Sequence, residues 1–98
     1  MMCGDVLQLR FINDIFASSG LMAVFALEAW RLTTFIACVA SGYHDNPYHN
    51  LRHACYTLQA TYLVLQAMKG QAELPTTARL ALLIAALCHD LDHDGTVA

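Results

Sequence analysis

The sequence predicts an all-α fold, and three observations support that prediction. Apolar residues recur at intervals of three and four along most of the chain, which is the spacing of one helix face. Asn-Pro and Leu-Pro-Thr stand where helices would begin, and Ser-Ser-Gly and a single Gly stand where helices would end. The alternation of apolar and polar residues that is typical of a half-buried strand is almost absent.

The first 40 residues are predicted to contain one clear helix and one less regular helical segment. The first helix runs from residue 5 to residue 18, and "SSG" at 18–20 ends it. Its apolar face is formed by Val6, Leu9, Ile12 and Phe16. Residues 21–40 are also mostly helical, and Thr33-Thr34 could divide them, because a threonine can cap a second helix.

Two further helices are predicted in the second half of the chain. Asn46 is a suitable N-cap for the first of them, Pro47 suits its first helical position, and Gly70 ends it. The last helix begins at Leu74-Pro75-Thr76, and its apolar stripe contains Leu80, Leu83, Ile84 and Leu87. No internal repeat, linker or low-complexity segment separates these helices.

The composition limits the classes of protein to consider. Apolar residues make up 57% of only 98 residues, more than so small a chain can bury by itself. We therefore expect a part of a larger helical fold, or one half of a tight complex. The net charge is −3 and the 5 Lys and Arg residues are scattered, so no basic surface is expected to bind nucleic acid.

No segment has the pattern of a membrane span or a secretory leader. The longest candidate, residues 21–40, would have to bury Glu28 and Arg31 near its middle. The first ten residues, "MMCGDVLQLR", lack the basic stretch and apolar run of a leader. We therefore expect a cytoplasmic protein without a membrane span.

The cysteines predict buried thiols in the reduced state. The four residues, Cys3, Cys38, Cys55 and Cys88, form no C-x-x-C pair and are widely spaced in an apolar chain. Cys88 stands beside His89, but a soft thiolate is a poor match for a site rich in oxygen and imidazole.

Two short motifs contain the candidate site residues. "YHNLRHA" at 48–54 places His49 and His53 four residues apart, which is one turn of a helix. "HDLDHDG" at 89–95 places His89 and His93 at the same spacing, and Asp90 adds a hard oxygen ligand. Such a set suits Zn²⁺ and also Mn²⁺, Fe or Mg²⁺.

Each motif also has a purely structural interpretation. A His-x-x-x-His pair on a helix is often two half-buried histidines with ordinary hydrogen bonds. In the second motif, Asp92 and Asp94 could face water at a solvated helix end. Asp90, however, follows the apolar run "LALLIAAL", where an unpaired carboxylate would cost several kcal/mol, so a cation is the expected partner.

The two motifs resemble the patterns YHNxxHA and HDxDHxG of the class I cyclic nucleotide phosphodiesterase catalytic domain, an HD-type helical domain. The lead-in "GYHDNPYHN" and Gln59 fit the same family. The resemblance is clear over residues 35–96 and weak over residues 1–34. It implies that residues 1–98 are part of such a catalytic domain, whose remaining C-terminal part would complete the site.

The resemblance also implies roles for individual residues. The ligands of a Zn²⁺ ion would be His53, His89 and Asp90. Asp90 would in addition bridge to a second ion, Mg²⁺ or Mn²⁺. His49 would be the general acid, His93 would lie near the bridging hydroxide, and Tyr48 would line the pocket. An imidazole with a pKa near 6.5 can protonate the departing ribose oxygen at neutral pH.

The implied function is hydrolysis of a 3′,5′-cyclic nucleotide, cyclic AMP or cyclic GMP, to the 5′-monophosphate. Tyr56 stands where the family often has an acidic residue, and Val97-Ala98 stand where it usually has Asn-Asn. The family's last aspartate ligand and its purine-binding glutamine and phenylalanine belong to later helices. We therefore expect the 98 residues alone to be inactive.

Two alternatives stay open at this point. One is another HD-superfamily phosphohydrolase that acts on linear phosphates, although "NPYHN" is particular to the cyclic nucleotide enzymes. The other is a protein without catalysis: an incomplete gene product or a helical fragment that binds a partner. The sequence specifies neither the purine base nor the regulatory domains nor the oligomeric state.

Overall fold

The structure, a computed structural model, describes residues 3–44 and 50–91, with the backbone alone for residues 3–5. These residues form five α-helices and no β-strand, so the all-α prediction is confirmed. The helices are α1 (Cys3–Ser18), α2 (Leu21–Val24), α3 (Ala29–Ser41), α4 (Leu51–Ala67) and α5 (Thr76–Cys88).

The end of α1 lies where the sequence predicts it. The Ser19 hydroxyl donates to the carbonyl of Phe16 at 2.6 Å and accepts from the N–H of Leu21 at 3.2 Å. One side chain therefore closes α1 and opens α2. Gly20 between them has φ of 78°, a left-handed conformation that glycine adopts without steric cost.

The predicted division of residues 21–40 at Thr33-Thr34 is wrong. The helix is interrupted earlier, at residues 25–28, where Ala26 has a positive φ of 53°. Both threonines lie inside α3, and their hydroxyls donate to the carbonyls of Ala29 and Trp30, four residues back, at 3.1 and 2.8 Å. A threonine on a helix surface can bond in this way as well as cap a helix, so its presence did not locate the boundary.

The start of α4 also differs from the prediction. Asn46 and Pro47 lie outside the described residues, and the N-cap of α4 is Asn50, with an extended backbone at φ −116° and ψ 179°. A single helix therefore does not run from Pro47 into α4. The helix ends at Ala67, and Gly70, with φ of 80°, lies in the turn that follows.

The last helix begins as predicted at Thr76 and ends at Cys88, immediately before the second motif. It packs along α4, while α1 packs against both α3 and α4. Four side chains of this core are almost completely buried: Ile12, Leu58, Leu83 and Leu87. The buried residues among those that the structure describes are all apolar, so apolar contacts dominate the core in which α4 and α5 pack.

The cysteines only partly match the prediction. Of the three whose side chains are described, Cys55 is buried, Cys88 is half-buried and Cys38 is exposed, and none forms a disulfide. The prediction of a buried thiol is therefore wrong for Cys38. Over residues 3–44 and 50–91 no helix is both long enough and apolar enough to cross a membrane. The expected cytoplasmic location stays a prediction.

Candidate metal centre

Three polar side chains from two helices meet at one end of the α4–α5 pair. His53 lies in the first turn of α4, and His89 and Asp90 lie in the turn directly after α5. The Oδ2 atom of Asp90 is 2.9 Å from Nε2 of His89 and 3.6 Å from Nε2 of His53. One potential ligand atom from each residue lies within 4.8 Å of the other two. The structure thus shows the convergence of these side chains that the sequence predicts.

The backbone of α4 fixes the position of His53. The side-chain Oδ1 of Asn50 accepts a hydrogen bond from the N–H of His53 at 3.0 Å, and the backbone carbonyl of Asn50 accepts from Ala54 at 3.2 Å. A free N–H group at the helix start is thereby paired, as is usual for an asparagine N-cap. His53 is therefore held by a capped first turn.

The other two residues lie beyond the last turn of α5, whose terminal carbonyls need partners from outside the helix. The carbonyl of Ala86 lies 2.8 Å from Nδ1 of His89, and the carbonyl of Cys88 accepts from the N–H of Leu91 at 3.0 Å. The Tyr43 hydroxyl, on the segment after α3, donates to the carbonyl of Leu87. The end of α5 is thus closed by a side chain from another part of the chain as well as by its own residues.

The contact with Ala86 determines the tautomer of His89. A carbonyl oxygen can only accept a hydrogen bond, so Nδ1 of His89 carries the hydrogen. In the neutral ring Nε2 then has a lone pair, and it is Nε2 that points to Asp90. A histidine that donates its other ring N–H to a backbone carbonyl is the usual arrangement in metal sites.

The distances from Asp90 to the two histidines fit ligands of a single metal ion. With metal–ligand bonds of about 2.0–2.1 Å, two ligands of a Zn²⁺ ion lie roughly 3.3 Å apart at a tetrahedral angle and roughly 2.9 Å apart at a right angle. The observed separations of 2.9 and 3.6 Å lie close to these values. Two imidazoles and a carboxylate are also a common ligand set of catalytic zinc sites, which keep one position open.

Exposure differs among the three side chains in a way that suits a reactive site. The side chain of Asp90 is only 14% exposed, whereas those of His53 and His89 are 44% and 35% exposed. A carboxylate so shielded from water needs positive charge or hydrogen-bond donors close by. The two half-open imidazoles leave room on the solvent side for a further ligand.

The remaining predicted site residues are not part of this described cluster. His49, Tyr48 and His93 lie outside the described residues, so their positions stay predictions. Cys88 does not belong to the ligand group found among the described residues. Burial raises the pKa of its thiol, which favours the uncharged form that is a poor metal ligand.

Tyr43 and Gly42 lie beside the end of α5, although neither was predicted to be a site residue. Burial raises the pKa of the Tyr43 hydroxyl to about 12, and a hydrogen bond from the backbone of Asp90 opposes part of that rise. The hydroxyl therefore keeps its proton at neutral pH and can donate to Leu87. The pair begins the lead-in "GYHDNPYHN", which fits the family, but a Gly-Tyr pair matches no ligand pattern, so no role was predicted for it.

Comparison with known proteins gives the same result as the motifs. Residues 48–97 match the family described as 3′5′-cyclic nucleotide phosphodiesterase. The human high affinity cGMP-specific 3′,5′-cyclic phosphodiesterase 9A is 33% identical over 88 residues, which are 90% of this chain and 15% of the human protein. The cGMP-specific 3′,5′-cGMP phosphodiesterase 3 of Dictyostelium discoideum is 37% identical over 79 residues, 81% of this chain and 17% of that protein.

A solved structure extends the likeness to the fold. The phosphodiesterase domain of the RhoPDE fusion protein from the choanoflagellate Salpingoeca rosetta superposes with a TM-score of 0.87 at 32% sequence identity. The match covers 99% of this chain and 30% of that chain, and this chain spans only 15% and 17% of the two relatives named above. Matched motifs, sequence and helix arrangement together show that the chain belongs to the 3′,5′-cyclic nucleotide phosphodiesterase family.

Proposed function

We propose that this chain supplies the metal-binding part of a catalytic site that hydrolyses a 3′,5′-cyclic nucleotide to the 5′-monophosphate. The observation that carries the proposal is the convergence of His53, His89 and Asp90 from two separate helices. Membership of the family supports the reaction class. In this proposal residues 1–98 are one part of a longer catalytic domain, and other helices complete the pocket.

Each of the three residues would bind a metal ion through one named atom. His53 and His89 would hold a Zn²⁺ ion through Nε2, and Asp90 would hold it through Oδ2 and share a second ion, Mg²⁺ or Mn²⁺. When bound, such ions neutralise phosphate oxygens and lower the pKa of a bound water to about 7. The hydrogen bond from Nδ1 of His89 to Ala86 keeps the ring in the orientation and tautomer that binding needs.

His49 is the proposed general acid. Its imidazole would donate a proton to the ribose 3′ oxygen as the bond to phosphorus breaks, since an unprotonated alkoxide is a poor leaving group. Tyr48 would line the pocket, and His93 would lie near the hydroxide that bridges the two ions. All three assignments come from the family resemblance of the two motifs.

The test compares two classes of variant in the gene product that carries this chain. His49→Ala is expected to keep its metal, measured by elemental analysis. Its turnover rate should fall about 10²–10⁴-fold. His53→Ala and Asp90→Ala are expected to lose both. Loss of metal in His49→Ala with full metal content in His53→Ala would show that the two roles are reversed.

Substrate choice is tested with the same preparations. The two relatives described above are named as cGMP-specific, so cyclic GMP is the first substrate to assay, followed by cyclic AMP and linear phosphate esters. We expect metal-dependent hydrolysis of a cyclic nucleotide. Hydrolysis of linear esters alone would favour another HD-superfamily phosphohydrolase.

The 98 residues by themselves are expected to show little or no turnover, because the purine would have no pocket to orient it toward the reacting groups. Several exposed apolar side chains are consistent with this: Val6, Leu7, Trp30, Leu63 and Val64 are all more than half exposed. Such surfaces pack against further protein in larger folds. Metal-dependent turnover by this chain that disappears in His49→Ala would show that the 98 residues are a sufficient enzyme.

A further inference from the structure

We propose that Tyr43 is a positioning residue for the metal centre, and that it acts by anchoring the turn that carries His89 and Asp90. The proposal rests on the proposed metal site but adds a residue from a third segment of the chain. Tyr43 follows α3, in the lead-in to the first motif, and its contact with α5 joins residues 44 positions apart.

Tyr43 contacts a carbonyl oxygen at the very end of α5. The carbonyl of Leu87 belongs to the last turn of α5, where carbonyls lack a partner within the helix. A hydroxyl that donates to this oxygen therefore meets a need that the helix itself leaves open. Tyr43 thus holds the last turn of α5, from which the His89–Asp90 turn continues.

The residues beside this hydrogen bond, Gly42 and Leu91, are closely packed. A Cβ atom built on Gly42 would lie 2.6 Å from Cδ1 of Leu91, the residue after Asp90. Gly42 therefore lets the segment after α3 approach the turn closely, and Tyr43 can then reach the end of α5. Two neighbouring residues of one segment contact both sides of the His89–Asp90 turn.

The two sides of the metal centre differ in how firmly they are held, and Tyr43 acts on the less firmly held side. His53 is already fixed by the capped first turn of α4. On the other side, the N–H of Leu91 donates to the carbonyl of Cys88, a hydrogen bond that spans a single turn. Without the hydroxyl of Tyr43 the turn would keep its contacts with His53 and Gly42 but lose the hydrogen bond that ties the end of α5 to the segment after α3.

The test uses Tyr43→Phe, which removes the hydroxyl and keeps the ring. Tyr62→Phe is the matched control, because the Tyr62 hydroxyl accepts from Gln66 within α4, outside the metal centre. Both variants, made in the gene product that carries this chain, are titrated with Co²⁺, whose visible absorption reports the ligand geometry. We expect Tyr43→Phe to bind Co²⁺ about 10-fold more weakly, with a changed spectrum, and Tyr62→Phe to match the wild type. Equal affinities and spectra for all three proteins would overturn the proposal.

Amide hydrogen exchange gives a second readout that needs no metal. In Tyr43→Phe the amides of Asp90 and Leu91 should exchange about 5-fold faster, the ratio expected for one lost hydrogen bond. The amides of His53 and Ala54, which bond to Asn50, should not change. If the wild type binds no Co²⁺, the metal site is wrong, and exchange still decides the role of Tyr43: unchanged rates at Asp90 and Leu91 would refute it.

A rescue experiment separates positioning from general loss of stability. Gly42→Ala places a methyl group 2.6 Å from Cδ1 of Leu91, so the Leu91 side chain has to turn aside, and Co²⁺ binding should weaken if the close approach of the two segments positions the site. In Gly42→Ala/Leu91→Ala the space returns, and affinity should recover toward that of Leu91→Ala alone. Additive losses in the double variant would show that the close approach of the two segments does not matter for the site.

Discussion

The two sides of the metal centre are built in different ways. His53 stands in the first turn of a helix of 17 residues, and an asparagine cap pairs its backbone N–H. His89 and Asp90 stand just past the end of a helix of 13 residues, in a turn held by side-chain contacts. One side is therefore fixed by local structure, and the other depends on residues distant in sequence.

This difference shows where the geometry of the centre is vulnerable. Changes in α4 should act on His53 mainly by way of helix stability, which many residues share. Changes near the end of α5 should act on His89 and Asp90 through a few individual contacts. The relative position of the two sides depends on the packing of α4 against α5. A change in the apolar interface between these helices should therefore disturb both sides at once.

The largest effect is expected for the interface itself. Leu58→Ala removes a side chain with 0% exposure from the core between the helices, which should cost about 2–5 kcal/mol of the free energy of unfolding. Both sides of the centre should then lose their common frame, and metal affinity should fall with stability. Urea unfolding measures the change, and Leu63→Ala is the control, because Leu63 on the same helix is 57% exposed. Similar losses for both leucines would show that the interface is not the frame.

An intermediate effect is expected for the cap on the His53 side. Asn50→Ala removes the oxygen that accepts from His53, which should lower stability by about 0.5–2 kcal/mol. Asn50→Asp keeps an acceptor and should retain most of that stability. Thermal unfolding compares the two variants with the wild type. If the aspartate variant is as unstable as the alanine variant, Asn50 does not act as a cap.

The smallest effect is expected for a second hydroxyl near the centre. Thr57 donates to the carbonyl of His53 at 3.2 Å, but that carbonyl lies inside a helix and already has its helical partner. Alanine is also the better helix former. Thr57→Ala should therefore change stability by less than about 0.5 kcal/mol and leave Co²⁺ affinity unchanged. A large loss of affinity would mean that side-chain contacts govern the His53 side as well, and the contrast with Tyr43 would disappear.

The sequence predicts the local side of this comparison better than the distant side. Helical periodicity and the Pro75-Thr76 start placed α5 correctly, and the paired motifs identified the three residues that converge. These are features of consecutive residues, so their physical causes can be read directly from the chain.

The errors have a common cause, which is that one residue type can serve several local roles. The start of α4 was predicted at Asn46 because Pro47 follows it, yet Asn50 is the cap. Thr33 and Thr34 looked like a boundary, but their hydroxyls bond within α3. Tyr43 belongs to the lead-in that fits the family, but its role was not predicted, since its partner Leu87 lies 44 residues away in sequence.

The hydrogen bond between Tyr43 and Leu87 also bears on the order in which the chain folds. It closes a loop of 44 residues, and all of α4 lies inside that loop. Helices form from neighbouring residues within about a microsecond, whereas a contact between distant residues forms only after the entropy of closing the loop has been overcome. The two helices can thus exist before the anchored turn does. The metal-binding geometry is consequently a late product of folding.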